Sequence, residues 1–185
     1  MSRYTLLILN GAILTGCAVF IYPARTSLLT ALLLLLPLLD RSWYIPDLTP
    51  QKKQLFFMLA ILCLYALVIT LHPDLLYKAL MILFLVALPE EWFFRAYFMI
   101  QLESLLRNKI SQTSHACWLS NIATSFLFSL THIPIQGLFG LSVFFPSLFF
   151  GWLYQKRKNL ILVVLLHALS NLIFIIYIRK YLNIQ

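Results

Sequence analysis

Seven apolar runs separated by short polar breaks fill most of this chain, at 6–22, 28–39, 55–71, 75–102, 116–131, 138–154 and 160–178. A segment that crosses the hydrocarbon core of a bilayer takes about 20 predominantly apolar residues. Crossings of that length over these runs leave roughly 45 positions for every loop and both ends, too few for a separate soluble domain of ordinary size. Charged residues make up 11% of the chain and apolar ones 62%, far from the soluble pattern of about 25% charged. Continuous apolar runs satisfy their backbone inside lipid as helices. The expected class is therefore all-α: a polytopic transmembrane helix bundle of about seven segments, six to eight spans, forming one integral-membrane domain over 1–185. No repeat, linker or low-complexity tract interrupts it.

Fourteen basic and six acidic residues give a net charge of +8. In a soluble protein that balance would direct attention to nucleic acid. Here the cations flank apolar runs, as in cytoplasmic loops, so the bilayer is the expected partner and nucleic acid is not. If every run crosses, Arg3, Arg41, Lys52, Lys53, Arg107, Lys109, Lys156, Arg157 and Lys158 share one side, and Arg25, Lys78, Arg179 and Lys180 the other. That asymmetry places the N-terminus in the cytoplasm, and the small size of the chain suits a protein of the plasma (inner) membrane of a prokaryotic cell. The second run is short, contains Pro37 and ends at Asp40, so it reads as a tilted span or a re-entrant segment. Cys17, Cys63 and Cys117 stand singly, without metal-site or disulfide spacing, and read as free core thiols. Leu14-Thr15-Gly16-Cys17 has the look of a lipoprotein signal, but in a polytopic chain a first membrane helix that holds a Cys is the preferred reading. Trp43, Tyr44, Trp118, Trp152 and Tyr154, near run ends, fit interfacial aromatic belts, and Gly137 and Gly140 fit a turn.

The fourth run holds what apolar runs exclude: Pro89-Glu90-Glu91-Trp92-Phe93-Phe94-Arg95. A charge at mid-membrane costs about 2.5–3.5 kcal/mol even on the lenient insertion scale, and such residues are functional by default. Pro89 is expected to kink or restart the helix just before Glu90. At about 100° per residue, Glu91 and Arg95 stand four apart on one face and can pair, while Glu90 points elsewhere with no partner on its own helix. The spacing therefore assigns Glu91 and Arg95 to architecture and Glu90 to chemistry, as a general base whose proton affinity its surroundings set. Two further runs carry histidine: Phe128-Ser129-Leu130-Thr131-His132 in the fifth, and His167 with Asn171 one turn later in the seventh. At about 1.5 Å per residue from the cytoplasmic ends, Glu90, His132, His167 and Asn171 lie about 18, 24, 12 and 18 Å deep. All are interior, spread over about 12 Å, an interval that tilt and boundary shifts can close. His72 and His115 fall at run ends and are expected at the interface.

Glu-Glu-x-x-x-Arg, then Phe-x-x-x-His, then His-x-x-x-Asn, each on its own hydrophobic segment and in this order, resembles the CAAX protease and bacteriocin-processing (Abi) family of glutamic intramembrane proteases. The motif-bearing region is 87–175. The resemblance implies an intramembrane endopeptidase in which Glu90 activates water, His132 assists or positions it, His167 and Asn171 stabilise the oxyanion, and Glu91, Arg95 and Phe128 order the site. It implies a membrane-associated or lipid-anchored peptide as substrate and no cofactor. Ala96, where the family often has Gly, is the one departure.

Other readings use the same residues. Two His and a Glu can ligate zinc, although no His-Glu-x-x-His pattern is present. A membrane factor that binds a partner in immunity or assembly would use the cluster for stability alone. A proton or ion carrier would use it as a relay, but the chain is short and lacks the repeat such folds show. Nothing in the loops selects among prenylated C-termini, bacteriocin leaders and C-terminal sorting tails, and nothing in the sequence fixes an oligomeric state.

Overall fold

The computed structural model describes the backbone of residues 3–20 and 25–178, with side chains over 5–14 and 28–177. The Cys17 side chain and the cations Arg3, Arg25, Arg179 and Lys180 lie outside the described side chains. Every regular element among the described residues is helical: α1 Arg3–Phe20, α2 Arg25–Leu35, α3 Lys52–Leu71, α4 Leu76–Met81, α5 Leu88–Glu91, α6 Ile100–Arg107, α7 Thr113–Gln136, α8 Phe144–Arg157 and α9 Leu160–Ile173. Three stretches are long and apolar enough to cross a membrane: Lys52–Leu71, Thr113–Arg157 and Leu160–Tyr177. Fewer elements thus meet the length and hydropathy of a span than the seven runs anticipate. Thr5–Leu14 and Leu28–Leu39 are shorter apolar helices, and the 76–107 stretch has its apolar character interrupted by Glu90, Glu91 and Arg95.

That stretch is the axis of the fold. α4, α5 and α6 are joined by the wider π-helical turns Ile82–Ala87 and Trp92–Met99 into one helical rod. The helix does not restart at Pro89: helical backbone runs through it without interruption. A wide turn precedes it, with the Leu88 N–H bonded to Leu83 O, five residues back. The carbonyl that Pro89 cannot serve, Leu85 O, accepts the Thr30 hydroxyl of α2 at 3.1 Å. A proline is absorbed in this way when neighbouring groups satisfy the freed backbone.

Two apolar cores meet on this rod. One gathers Tyr65, Ile82, Met99, Phe150, Val163 and Leu172 between α3, the rod, α8 and α9. The other gathers Leu14, Leu33, Phe93, Phe94, Tyr97 and Phe128 between α1, α2, the rod and α7. The outward face of α3 exposes Phe56, Phe57, Leu62 and Leu67, a surface that suits lipid and not water. Cys63 is on that outer face, so it is not a core thiol. Cys117 is half-buried and gives its Sγ–H to Glu103 at 3.2 Å.

Buried polar ties close one end of the bundle. Gln54 at the start of α3 donates to Arg157 O at 2.7 Å and accepts from Asn159 Nδ2 at 3.1 Å. Gln155 donates to Glu103 Oε2 at 3.1 Å and to Cys117 O at 2.8 Å. These contacts gather the ends carrying Lys52, Lys53, Arg107, Lys156, Arg157 and Lys158, while His72 and Tyr177 meet at 3.4 Å at the opposite end. Two glycines permit close packing around α7. A Cβ at Gly151 would overlap the Asn121 side chain, and one at Gly140 would lie 2.7 Å from the backbone carbon of His132. Gly137, at φ +60°, turns the chain out of α7.

Candidate active site

Glu90 and Glu91 share the short α5 segment at the junction of the two cores, and their surroundings differ. Glu91 is fully buried. Its Oε2 faces Arg95 Nε at 3.1 Å as an ion pair, one turn along the rod. Its Oε1 meets His167 Nδ1 of α9 at 2.8 Å. Arg95, also fully buried, donates from Nη2 to Ser147 Oγ of α8 at 2.8 Å and lays its guanidinium 5.3 Å from the Phe128 ring centre. Arg95 Nη1 has no hydrogen-bond partner among the described residues.

Glu90 faces the other way round. Its Oε2 is buried with no hydrogen-bond partner among the described residues and stands 3.6 Å from His167 Nε2. His167 is therefore bracketed by both carboxylates, Nδ1 towards Glu91 and Nε2 towards Glu90. Its ring is stacked on Phe150, at 5.1 Å and 26°, which fixes the plane in which both nitrogens point. His132 on α7 turns Nδ1 to Phe128 O at 2.8 Å, an orientation that leaves Nε2 for other work. Phe128 packs edge-on against Phe94 at 4.9 Å and beside His132 at 4.5 Å, so it separates the Arg95 side of the cluster from the His132 side. Asn171, one turn beyond His167, is half-buried and makes no side-chain hydrogen bond among the described residues. The fold thus brings Glu90, Glu91, Arg95, Phe128, His132 and His167 together from three helices, while Asn171 lies one turn beyond His167 on α9.

Several supporting residues escaped sequence reasoning. Ser147 and Phe150 carry no signal beyond lying in an apolar run. Trp43, assigned to an interfacial belt, turns inward: its Nε1–H donates to Ala96 O at 2.9 Å and its ring packs edge-on against Trp92 at 4.9 Å and Tyr97 at 5.7 Å. Tyr154 is likewise buried in the core and not in a belt, because α8 presents that face to the neighbouring helices. Tyr44, Trp118 and Trp152 do face outward. No group of three or more His, Cys, Asp or Glu side chains is arranged to hold a metal among the described residues.

Ionisable groups buried together in an apolar helical bundle mark a candidate functional site. The model of one family, Rce1-like, described as type II CAAX prenyl endopeptidase Rce1-like, matches residues 72–173. The chain belongs to that family, which is a family of proteases, and it is an integral membrane protein. No curated protein and no solved structure matches it.

Proposed function

We propose that this protein is a glutamic-type intramembrane endopeptidase that hydrolyses a peptide bond in a membrane-associated or lipid-anchored substrate. The observation that carries this reading is the unequal use of two neighbouring carboxylates. Glu91 Oε1 is hydrogen-bonded to His167 and its Oε2 lies 3.1 Å from Arg95 Nε as an ion pair, whereas Glu90 Oε2 is buried with no hydrogen-bond partner among the described residues and stands 3.6 Å from His167 Nε2. A buried carboxylate without such a bond is costly, and a substrate water would relieve that cost.

Glu90 takes a proton from this water as its oxygen attacks the scissile carbonyl carbon, and His132 Nε2 orients the water from the opposite side. The carbonyl oxygen becomes an oxyanion. His167, as an imidazolium, keeps its Nδ1–H hydrogen-bonded to Glu91 and presents its Nε2–H to this oxyanion, and Asn171 Nδ2 adds a second donor that does not titrate. When the C–N bond breaks, the proton on Glu90 passes to the leaving amine, which restores the carboxylate. The chemistry needs no cofactor. The whole chain acts as one membrane domain with its chemistry within 87–175, crosses the membrane along its seven runs, and keeps its N-terminus and cationic end in the cytoplasm of a prokaryotic cell.

Co-expression of wild type and Glu90→Gln with candidate membrane-anchored substrates, followed by intact-mass analysis of the membrane fraction, tests the reading. A shortened product that appears only with wild type and persists with a chelator supports it. Unchanged masses with both proteins folded and inserted would move the assignment to the partner-binding reading.

A further inference from the structure

The two wide turns of the rod are not distributed at random: Ile82–Ala87 ends just before α5, and Trp92–Met99 begins just after it, so the four residues that carry both carboxylates are bracketed by π-helical backbone. Such turns are less favourable than α-helix and persist where something outside the helix holds them. Here each has an external donor. Thr30 Oγ1 reaches Leu85 O, the carbonyl that Pro89 cannot serve. Trp43 Nε1 reaches Ala96 O, while the Ile100 N–H, its ordinary partner four residues on, goes to Tyr97 O. Both donors come from α2 and the loop that follows it, outside the 72–173 region that matches the family. That loop is itself fastened to the rod by Gln101 Nε2, which donates to Asp40 Oδ2 at 3.0 Å.

We propose that α2 and the 40–43 loop form a brace that sets the register of the catalytic helix, with Thr30 and Trp43 as positioning residues for Glu90. This inference rests on the proposed role of Glu90. A helix that relaxes a wide turn back to α changes the rotation of every residue beyond it, at about 100° per residue. Glu90, whose Oε2 has no hydrogen-bond partner among the described residues to hold it, would then lose its alignment with His167, which belongs to a different helix.

Trp43→Phe keeps an aromatic ring and removes the N–H; Thr30→Val keeps the shape and removes the hydroxyl; Thr30→Ser restores a hydroxyl. The measurements are steady-state cleavage of a farnesylated CAAX peptide in detergent micelles and amide hydrogen exchange followed by mass spectrometry. The brace predicts that Trp43→Phe and Thr30→Val each lower kcat by about tenfold with KM within about twofold, the scale of one lost hydrogen bond. It also predicts faster exchange confined to 82–99, with α8 unchanged, and recovery of both in Thr30→Ser. Wild-type exchange in both variants, or faster exchange with unchanged kcat, overturns it. Should Trp43→Phe fail to fold, the Thr30→Val and Thr30→Ser pair decides by the same criteria. If wild type leaves the peptide intact, that result bears on the proposed activity, and the exchange comparison, which needs no substrate, decides the brace alone.

Discussion

On one side of the buried cluster, Glu91, Arg95, Ser147 and the Nδ1 edge of His167 interlock across the rod, α8 and α9. On the other, Glu90 Oε2, His132 Nε2 and the Asn171 amide make no hydrogen bonds among the described residues. Both sides draw on the rod and on α9, and Glu90 and Glu91 are neighbours in sequence, so composition and depth cannot account for the difference. What differs is commitment. A group whose bonding capacity is spent within the fold can position a neighbour but cannot receive a substrate, while a buried group left unspent costs stability and is retained for chemistry.

The comparison is broken most severely at Glu90. Glu90→Gln is nearly isosteric and removes the base; turnover should fall by about 10³- to 10⁴-fold while thermal unfolding of the purified protein shifts little. The opposite signature is expected at Arg95. Arg95→Leu strands the Glu91 carboxylate, and leaving one member of a buried pair uncompensated costs about 3–5 kcal/mol, so the loss should appear in folded yield and melting temperature before it appears in catalysis.

A third prediction sharpens the open side. His132→Ala and Asn171→Leu should each reduce kcat by about 10²-fold with an intact fold. Equal losses would mark water activation and oxyanion stabilisation as comparable contributions, and a silent Asn171→Leu would leave the oxyanion to His167. Gly140→Ala probes the support beneath His132. The added methyl would press on the His132 and Ile133 backbone, so a loss of about 1–3 kcal/mol in stability should accompany reduced turnover.

The smallest effect belongs to Glu103, the carboxylate at the cation-rich end of the bundle. Burial alone would raise the pKa of Glu103, but the hydrogen bonds from Arg107 and Cys117 and the charge of Lys158 outweigh it and hold that carboxyl below its ordinary value. A depressed folded-state pKa stabilises the fold above the unfolded carboxylate range, and that contribution disappears as pH falls through the folded value. Wild type should therefore lose stability on acidification more steeply than Glu103→Gln, as read by melting temperature across an acid series. Arg107 is half-exposed, which keeps the difference small.

Much of the site was legible in the sequence because its logic is local. The four-residue spacing of Glu91 and Arg95 gives the ion pair directly, and the same spacing leaves Glu90 over. His167 could be singled out as an ionisable group in an apolar run, but its double engagement with both carboxylates depends on how α9 packs against the rod, and no single-helix pattern encodes that. The two wide turns of the rod were not expected from the sequence. Those turns have no composition signature apart from Pro89. Trp43 was misassigned for a related reason: a tryptophan near a run end has the same local sequence whether its indole seeks the interface or a freed carbonyl. Three helices long and apolar enough to span, where seven runs were expected, show a further limit, since the charges that make the rod functional also interrupt its apolar character.

The most direct test of the division between Glu90 and Glu91 is single-turnover cleavage by purified Glu90→Gln, normalised to its folded fraction and run beside wild type on a substrate that wild type cuts. The account predicts a folded, inserted protein that binds substrate and releases no product. Product at the wild-type rate would contradict it, and would remove Glu90 from the chemistry.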